Sequence, residues 1–244
     1  RAFLVPTIIG VLVIAALAIA GMRDPAPLLS FGLCAFVLGT IIGEFWKGYR
    51  AIQAKEGLPL PRAAFELTWR NTRRYGGYLV HIGIVFMFIG FTGSAFNLHE
   101  TRNLGLGQSV QFGRYMLKLI SVNSGQTPNY ELSHAVLDVS KNGRVITQLE
   151  PEIRFYPASQ QQSTEVGIRR RLNEDLYVVF SGVLPDQSKA TFQFYLNPLV
   201  SWVWIGYWVL LFGTVVCLIP SKVRLQYART EVVSVAQTHA PIHS

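Results

Sequence analysis

The chain has 244 residues, 50% of them hydrophobic and only 15% charged, where an average soluble domain carries about 25% charge. The charges are nearly absent from four long apolar runs and plentiful between them, which excludes a single soluble core. The formal charge of +8 sits beside those runs, as Lys and Arg do in cytoplasmic loops of membrane proteins, so it calls for no nucleic-acid partner.

Arg1 leads straight into the first apolar run, 3–21. Ala18-Ile19-Ala20 has the A-x-A form of a signal-peptidase site, but the run is long and its basic leader thin. The chain is therefore read as a piece of a longer protein that starts just before a membrane helix. A bilayer core of about 30 Å needs roughly 20 apolar residues at about 1.5 Å each. The runs 3–21, 26–45, 78–96 and 198–219 meet that requirement. Cys34 and Cys217 both fall inside apolar runs, with no CxxC spacing, which argues against a disulfide framework or a zinc site.

The segment between the second and third runs carries Lys47, Arg50, Lys55, Arg62, Arg70, Arg73 and Arg74 against Glu56 and Glu66. The tail after the fourth run opens with Lys222, Arg224 and Arg229. Both are read as cytoplasmic, which turns residues 22–25 and 97–197 outward. Within the basic segment, Ala63, Phe65 and Trp69 follow Leu58-Pro59-Leu60-Pro61 at helical spacing. This predicts an amphipathic helix lying on the membrane surface. The resulting division is two transmembrane helices in 1–46, a basic cytoplasmic loop with that helix in 47–77, a third transmembrane helix in 78–96, a β-rich domain in 97–197, a fourth transmembrane helix in 198–220 and a cytoplasmic tail in 221–244.

Inside the outward segment the apolar period changes to two. Residues 108–112, 115–121, 130–139, 144–149, 152–156, 176–181 and 191–195 read as strands. Asn142-Gly143 between two alternating runs predicts a tight hairpin. The fold class that follows is a membrane α-helical protein of about four transmembrane helices with an inserted extracytoplasmic all-β domain, a small barrel or sandwich.

One titratable side chain lies inside a membrane run: His81, about one turn from the inner boundary of 78–96. Ionisable residues at such positions are functional hypotheses by default, and imidazole is a common axial ligand of haem iron. Gly77 lies one turn before His81 on the same face, where the backbone could approach a flat macrocycle, and Val85 and Phe88 continue that face. Arg70, Arg73 and Arg74 stand two turns or more away and suit haem propionates. The residues alone leave three roles open for His81: haem ligation, proton or quinone chemistry, and a structural role, either a hydrogen bond to a neighbouring helix or a place just inside the interface in a Tyr-rich belt. Gly76, Gly83 and Gly90 recur every seven residues on a separate stripe, which reads as helix packing. His99 and His134 have no cluster of ligating groups near them in sequence and read as ordinary surface or strand residues; His239 and His243 lie in the tail.

These residues resemble a known family. Arg73-Arg74-Tyr75-Gly76-Gly77-Tyr78-Leu79-Val80-His81-Ile82-Gly83 is similar to a transmembrane stretch of the CcmF family of cytochrome c maturation haem lyases. So are Arg154-Phe155-Tyr156-Pro157, Ser163-Thr164-Glu165-Val166-Gly167-Ile168, Asp175-Leu176-Tyr177-Val178 and Asn197-Pro198-Leu199-Val200 before Trp202-Val203-Trp204. The matches run in the family's order over 70–208.

The resemblance implies a multi-pass protein of the bacterial inner membrane with its β domain in the periplasm. It implies a b-type haem (haem b) with His81 as an axial ligand to the iron, and a part in attaching haem covalently to apocytochrome c. The implied partners are the amino-terminal part of the same protein, a haem chaperone, other cytochrome c maturation subunits, apocytochrome c and the lipid bilayer. The family's second membrane histidine, its outward-facing histidines and its tryptophan-rich segment match nothing here, so this segment alone is not expected to be an active lyase. A related assembly factor for nitrite reductase cytochromes would share the same motifs. Two other classes compete: a non-catalytic membrane scaffold whose β domain docks partners, and a transporter subunit. Transporters usually carry several intramembrane polar residues, which ranks that reading last.

Overall fold

The structure is a computed structural model that describes residues 3–185 and 188–220. It divides into a helical unit built from the two ends of the chain and a β unit, Gly93–Ser201. The expected tail, 221–244, lies outside the described residues.

In the helical unit, α1 (Leu4–Ile19) has 16 residues, about 24 Å at 1.5 Å per residue. Gly21, at φ +103°, ends it: Gly21 N–H donates to the Ala18 carbonyl and Met22 N–H to the Leu17 carbonyl, a turn that needs the left-handed region. Three helical segments, Pro25–Glu56, Thr72–Phe96 and Val200–Leu218, are long and apolar enough to cross a membrane. The first of the four expected spans is thus a shorter apolar helix. α2 (Pro25–Glu56) is opened by Asp24, which accepts a hydrogen bond from Ala26 N–H, and closed by Gly57 in the left-handed region. It runs eleven residues past its apolar stretch because nothing between Trp46 and Glu56 breaks a helix.

The amphipathic helix forms as α3 (Leu60–Arg70), burying Ala63 and Leu67 and exposing Phe65 and Trp69. Glu66 and Glu56 both bind Arg70 and raise its pKa further. α4 (Thr72–Thr92) begins six residues before its apolar run. Its first turns carry Arg73 and Arg74, which hydropathy counts as loop. α5 (Val200–Leu218) is the last helix. Glycines set the α4–α5 approach: a Cβ at Gly83 would come within 2.5 Å of the Leu210 nitrogen, and one at Gly206 within 2.5 Å of the Gly83 carbonyl oxygen. The heptad glycine stripe is therefore a packing surface.

The β unit opens with a 3-10 turn, Gly93–Phe96, and builds two antiparallel sheets. The first has the order β1 (Leu98–Leu104), β10 (Ala190–Pro198), β9 (Glu174–Val183), β8 (Gly167–Arg169). The second has the order β2 (Ser109–Phe112), β3 (Tyr115–Gln126), β4 (Glu131–Lys141), β6 (Glu152–Tyr156), β7 (Gln161–Glu165). β5 (Arg144–Leu149) pairs with the far end of β4. The choice between barrel and sandwich resolves to a sandwich, because two separate sheets bury facing rows. Leu117, Leu119, Leu137 and Val139 come from one sheet, and Val178, Phe180, Phe192 and Phe194 from the other.

All seven expected strands form, and Asn142 and Gly143 hold the positive φ values of the predicted hairpin turn. β1, β7 and β8 were not expected. β1 (Leu-His-Glu-Thr-Arg-Asn-Leu) and β7 (Gln-Gln-Ser-Thr-Glu) are polar strands at sheet edges, and β8 has three residues, too few for a period. The core also closes over a carboxylate. Glu174, 4% exposed, accepts hydrogen bonds from Tyr115 Oη at 2.6 Å and Arg114 at 2.8 Å. A buried charge is tolerated only when paired in this way.

Candidate functional site

Helix geometry fixes what surrounds His81. It lies nine residues after Thr72 in a 25-residue apolar span, about 13 Å along the axis at 1.5 Å per residue. His81 Nδ1–H donates to the Gly77 carbonyl one turn below at 2.8 Å. A carbonyl can only accept, so Nδ1 carries the proton and the Nε2 lone pair is free. Among the described residues this is the one hydrogen bond His81 makes, so no neighbouring helix holds its ring.

The ring belongs to a groove of about 450 Å3 between α2 and α4. Leu29, Leu33 and Val37 of α2 face Ile84, Val85 and Phe88 of α4 across it. His81 is the one ionisable group in the lining besides the thiol of Cys34. Gly77 leaves the neighbouring surface open: a Cβ there would meet nothing within 4 Å. Gly76 and Gly83 of the stripe lie against α5, so that packing does not consume the His81 face.

The arginines divide. Arg74 reaches across to α2, where its guanidinium pairs with Glu44, and it donates to Tyr78 Oη at 3.1 Å. Phe45, Tyr75 and Tyr78 pack around this bridge with centroid separations of 5.0–5.9 Å. The Arg73 carbonyl accepts from Cys217 Sγ at 3.8 Å, and Arg73 itself is exposed. Arg70 is held by Glu56 and Glu66. Glu44 was missed by sequence reasoning; its signal was a lone carboxylate closing an apolar run.

The remaining histidines are elsewhere. His99 stacks on Tyr195 across strands, with centroids 4.3 Å apart. His134 sits on β4 opposite Asn123 and Glu152, and its buried Nδ1 has no hydrogen-bond partner. Among the described residues no group of three His, Cys, Asp or Glu side chains could hold a metal ion. A metal bound through His81 would therefore arrive with its other ligands supplied by a macrocycle or another chain. The donor set suits haem: one imidazole with a free Nε2, an oriented Nδ1 and an open groove with an apolar lining.

Comparison with known proteins gives concordant results. Residues 95–198 match the family model described as the CcmF C-terminal beta-sandwich. Cytochrome c-type biogenesis protein CcmF of Haemophilus influenzae is 33% identical over 177 residues, covering 66% of this chain and 27% of the relative. Cytochrome c-type biogenesis protein CycK of Rhizobium meliloti is 30% identical over 213 residues, covering 81% of this chain and 31% of the relative. A solved structure of cytochrome c heme lyase CcmF superposes with a TM-score of 0.66 at 19% identity, covering 87% of this chain and 34% of that one. This last likeness establishes the fold alone. The chain spans 27% to 31% of the length of these two curated relatives.

Proposed function

A chain whose residues 95–198 match the CcmF C-terminal β-sandwich, and whose relatives are cytochrome c-type biogenesis proteins, is related to CcmF; on that premise we propose that it is the haem-handling portion of a cytochrome c maturation lyase. In this reading the protein sits in the bacterial inner membrane with its β-sandwich in the periplasm. His81 ligates a b-type haem through Nε2. A haem held there would supply one-electron redox chemistry.

This chain's own residues bind and orient. The Gly77 carbonyl holds the imidazole in the tautomer that leaves Nε2 free, and the groove beside it offers an apolar lining to a flat macrocycle. Arg73 and Arg74 are the candidates for the propionates. Arg74 is already engaged by Glu44, so it acts chiefly by fixing α2 against α4. The partners in this reading are segments corresponding to the rest of the relatives' length, together with a haem chaperone, other maturation subunits and apocytochrome c. The observation that carries the proposal is the 2.8 Å bond from Nδ1 to Gly77. It leaves Nε2 open to a ligand and uses no neighbouring helix, which argues against a structural bond between helices.

The functional test is covalent haem attachment in cells that depend on this protein. His81→Ala should abolish most haem-stained c-type cytochrome while the variant still accumulates in the membrane. Full cytochrome maturation by an accumulated His81→Ala protein would overturn the proposed role.

A further inference from the structure

From the last residue of β8 to the start of β9 the chain reads Arg169-Arg170-Arg171-Leu172-Asn173. Three consecutive arginines followed by a leucine make an unusual turn, and Leu172 is 65% exposed. The turn is held firmly. Arg171 N–H donates to Asp175 Oδ1 at 3.0 Å, and Asp175 is buried. Ser201 Oγ–H donates to the Arg171 carbonyl at 3.0 Å, and Leu199 N–H donates to the Asn173 carbonyl at 3.0 Å. Leu199 has φ +62°, a region that bulky residues rarely adopt, and its bond to Asn173 helps hold it there.

Ser201 lies in the first turn of α5, a helix apolar enough to span a membrane. Trp202, Trp204, Tyr207 and Trp208 crowd the next two turns. Trp204 and Trp208, one turn apart, are the most exposed of the four. Such aromatic clusters mark the level where a membrane helix meets the headgroups. A turn within hydrogen-bond reach of Ser201 lies beside the residue that opens this helix. Its arginines are not equivalent: Arg169 donates to Tyr115 Oη at 3.0 Å, whereas Arg170 and Arg171 are exposed and their guanidinium groups form no hydrogen bond or ion pair among the described residues.

We propose that residues 170–173 form an interfacial anchor, with Arg170 and Arg171 bound to phospholipid phosphates and Leu172 inserted beneath them. Guanidinium groups match phosphate with paired donors, and an exposed leucine beside them is the apolar component that interfacial segments bury. The anchor rests on α5 entering the bilayer and is independent of haem binding.

The test uses the full chain with Cys34→Ala and Cys217→Ala, reconstituted in phosphatidylethanolamine–phosphatidylglycerol bilayers. An environment-sensitive fluorophore is placed in turn on Leu172→Cys, on Leu211→Cys within α5, and on Arg144→Cys in the β4–β5 hairpin. The label at 172 should emit to the blue and be quenched by lipids spin-labelled near the headgroup, while that at 144 stays bright and water-exposed. Adding Arg170→Glu and Arg171→Glu should remove most of the quenching at 172. A label at 172 that stays bright and water-exposed while lipid labelled deep in its acyl chain quenches 211 overturns the anchor alone. No quenching at either site overturns the α5 span and the anchor with it. Quenching at 172 that survives both charge reversals overturns the phosphate contacts.

Discussion

At the scale of single residues, the buried carboxylate of the sandwich makes the sharpest stability prediction. Burial, and then the hydrogen bond to Glu174, hold the Tyr115 hydroxyl above its ordinary pKa, which is about 10. A group with a raised folded pKa contributes stability that is complete below its unfolded value and lost as pH rises through the folded one. The sandwich should therefore hold its stability up to about pH 10 and lose it above. Tyr115→Phe should blunt that alkaline loss and, near neutrality, cost about 1–3 kcal/mol through the lost hydrogen bond to a buried charge. Denaturant titrations followed by near-ultraviolet circular dichroism at pH 7 and pH 11 check both. A wild-type midpoint unchanged across that range would contradict the assignment.

At the scale of elements, helix packing depends on missing side chains. Replacing Gly83 with leucine would drive atoms into the α5 backbone at Leu210, and overpacking of this kind costs about 1–3 kcal/mol or more. Gly83→Leu should therefore aggregate at a lower temperature in detergent than wild type, while Gly77→Ala, with open space at its Cβ, should not. Equal losses for the two would contradict the division of α4 into a packing face and a groove face. The sequence shows this division through two registers, Gly76-Gly83-Gly90 and Gly77-His81-Val85-Phe88, because helical periodicity survives burial. It does not show where α2 and α4 begin and end, since their charged turns look like loop to a hydropathy count. It also hides the Arg74–Glu44 bridge, whose partners are 30 residues apart and meet only through packing. Strands β1 and β7 escaped for a related reason: edge strands stay polar to discourage further pairing, which erases the alternation by which strands are read.

At the scale of the whole molecule, the sandwich has its own core and contains neither cysteine of the chain. Residues 93–201 expressed alone should fold to a β-rich domain that melts cooperatively, with a midpoint indifferent to reductant. A non-cooperative melt would contradict the division into two units. The helical unit carries the central claim, that His81 ligates a b-type haem through Nε2 in the groove between α2 and α4. The most direct measurement is a reduced-minus-oxidised optical spectrum of the purified protein in detergent, wild type beside His81→Ala. The account predicts a b-type spectrum in the wild type that is lost or strongly weakened in the variant. An unchanged spectrum in His81→Ala would contradict it.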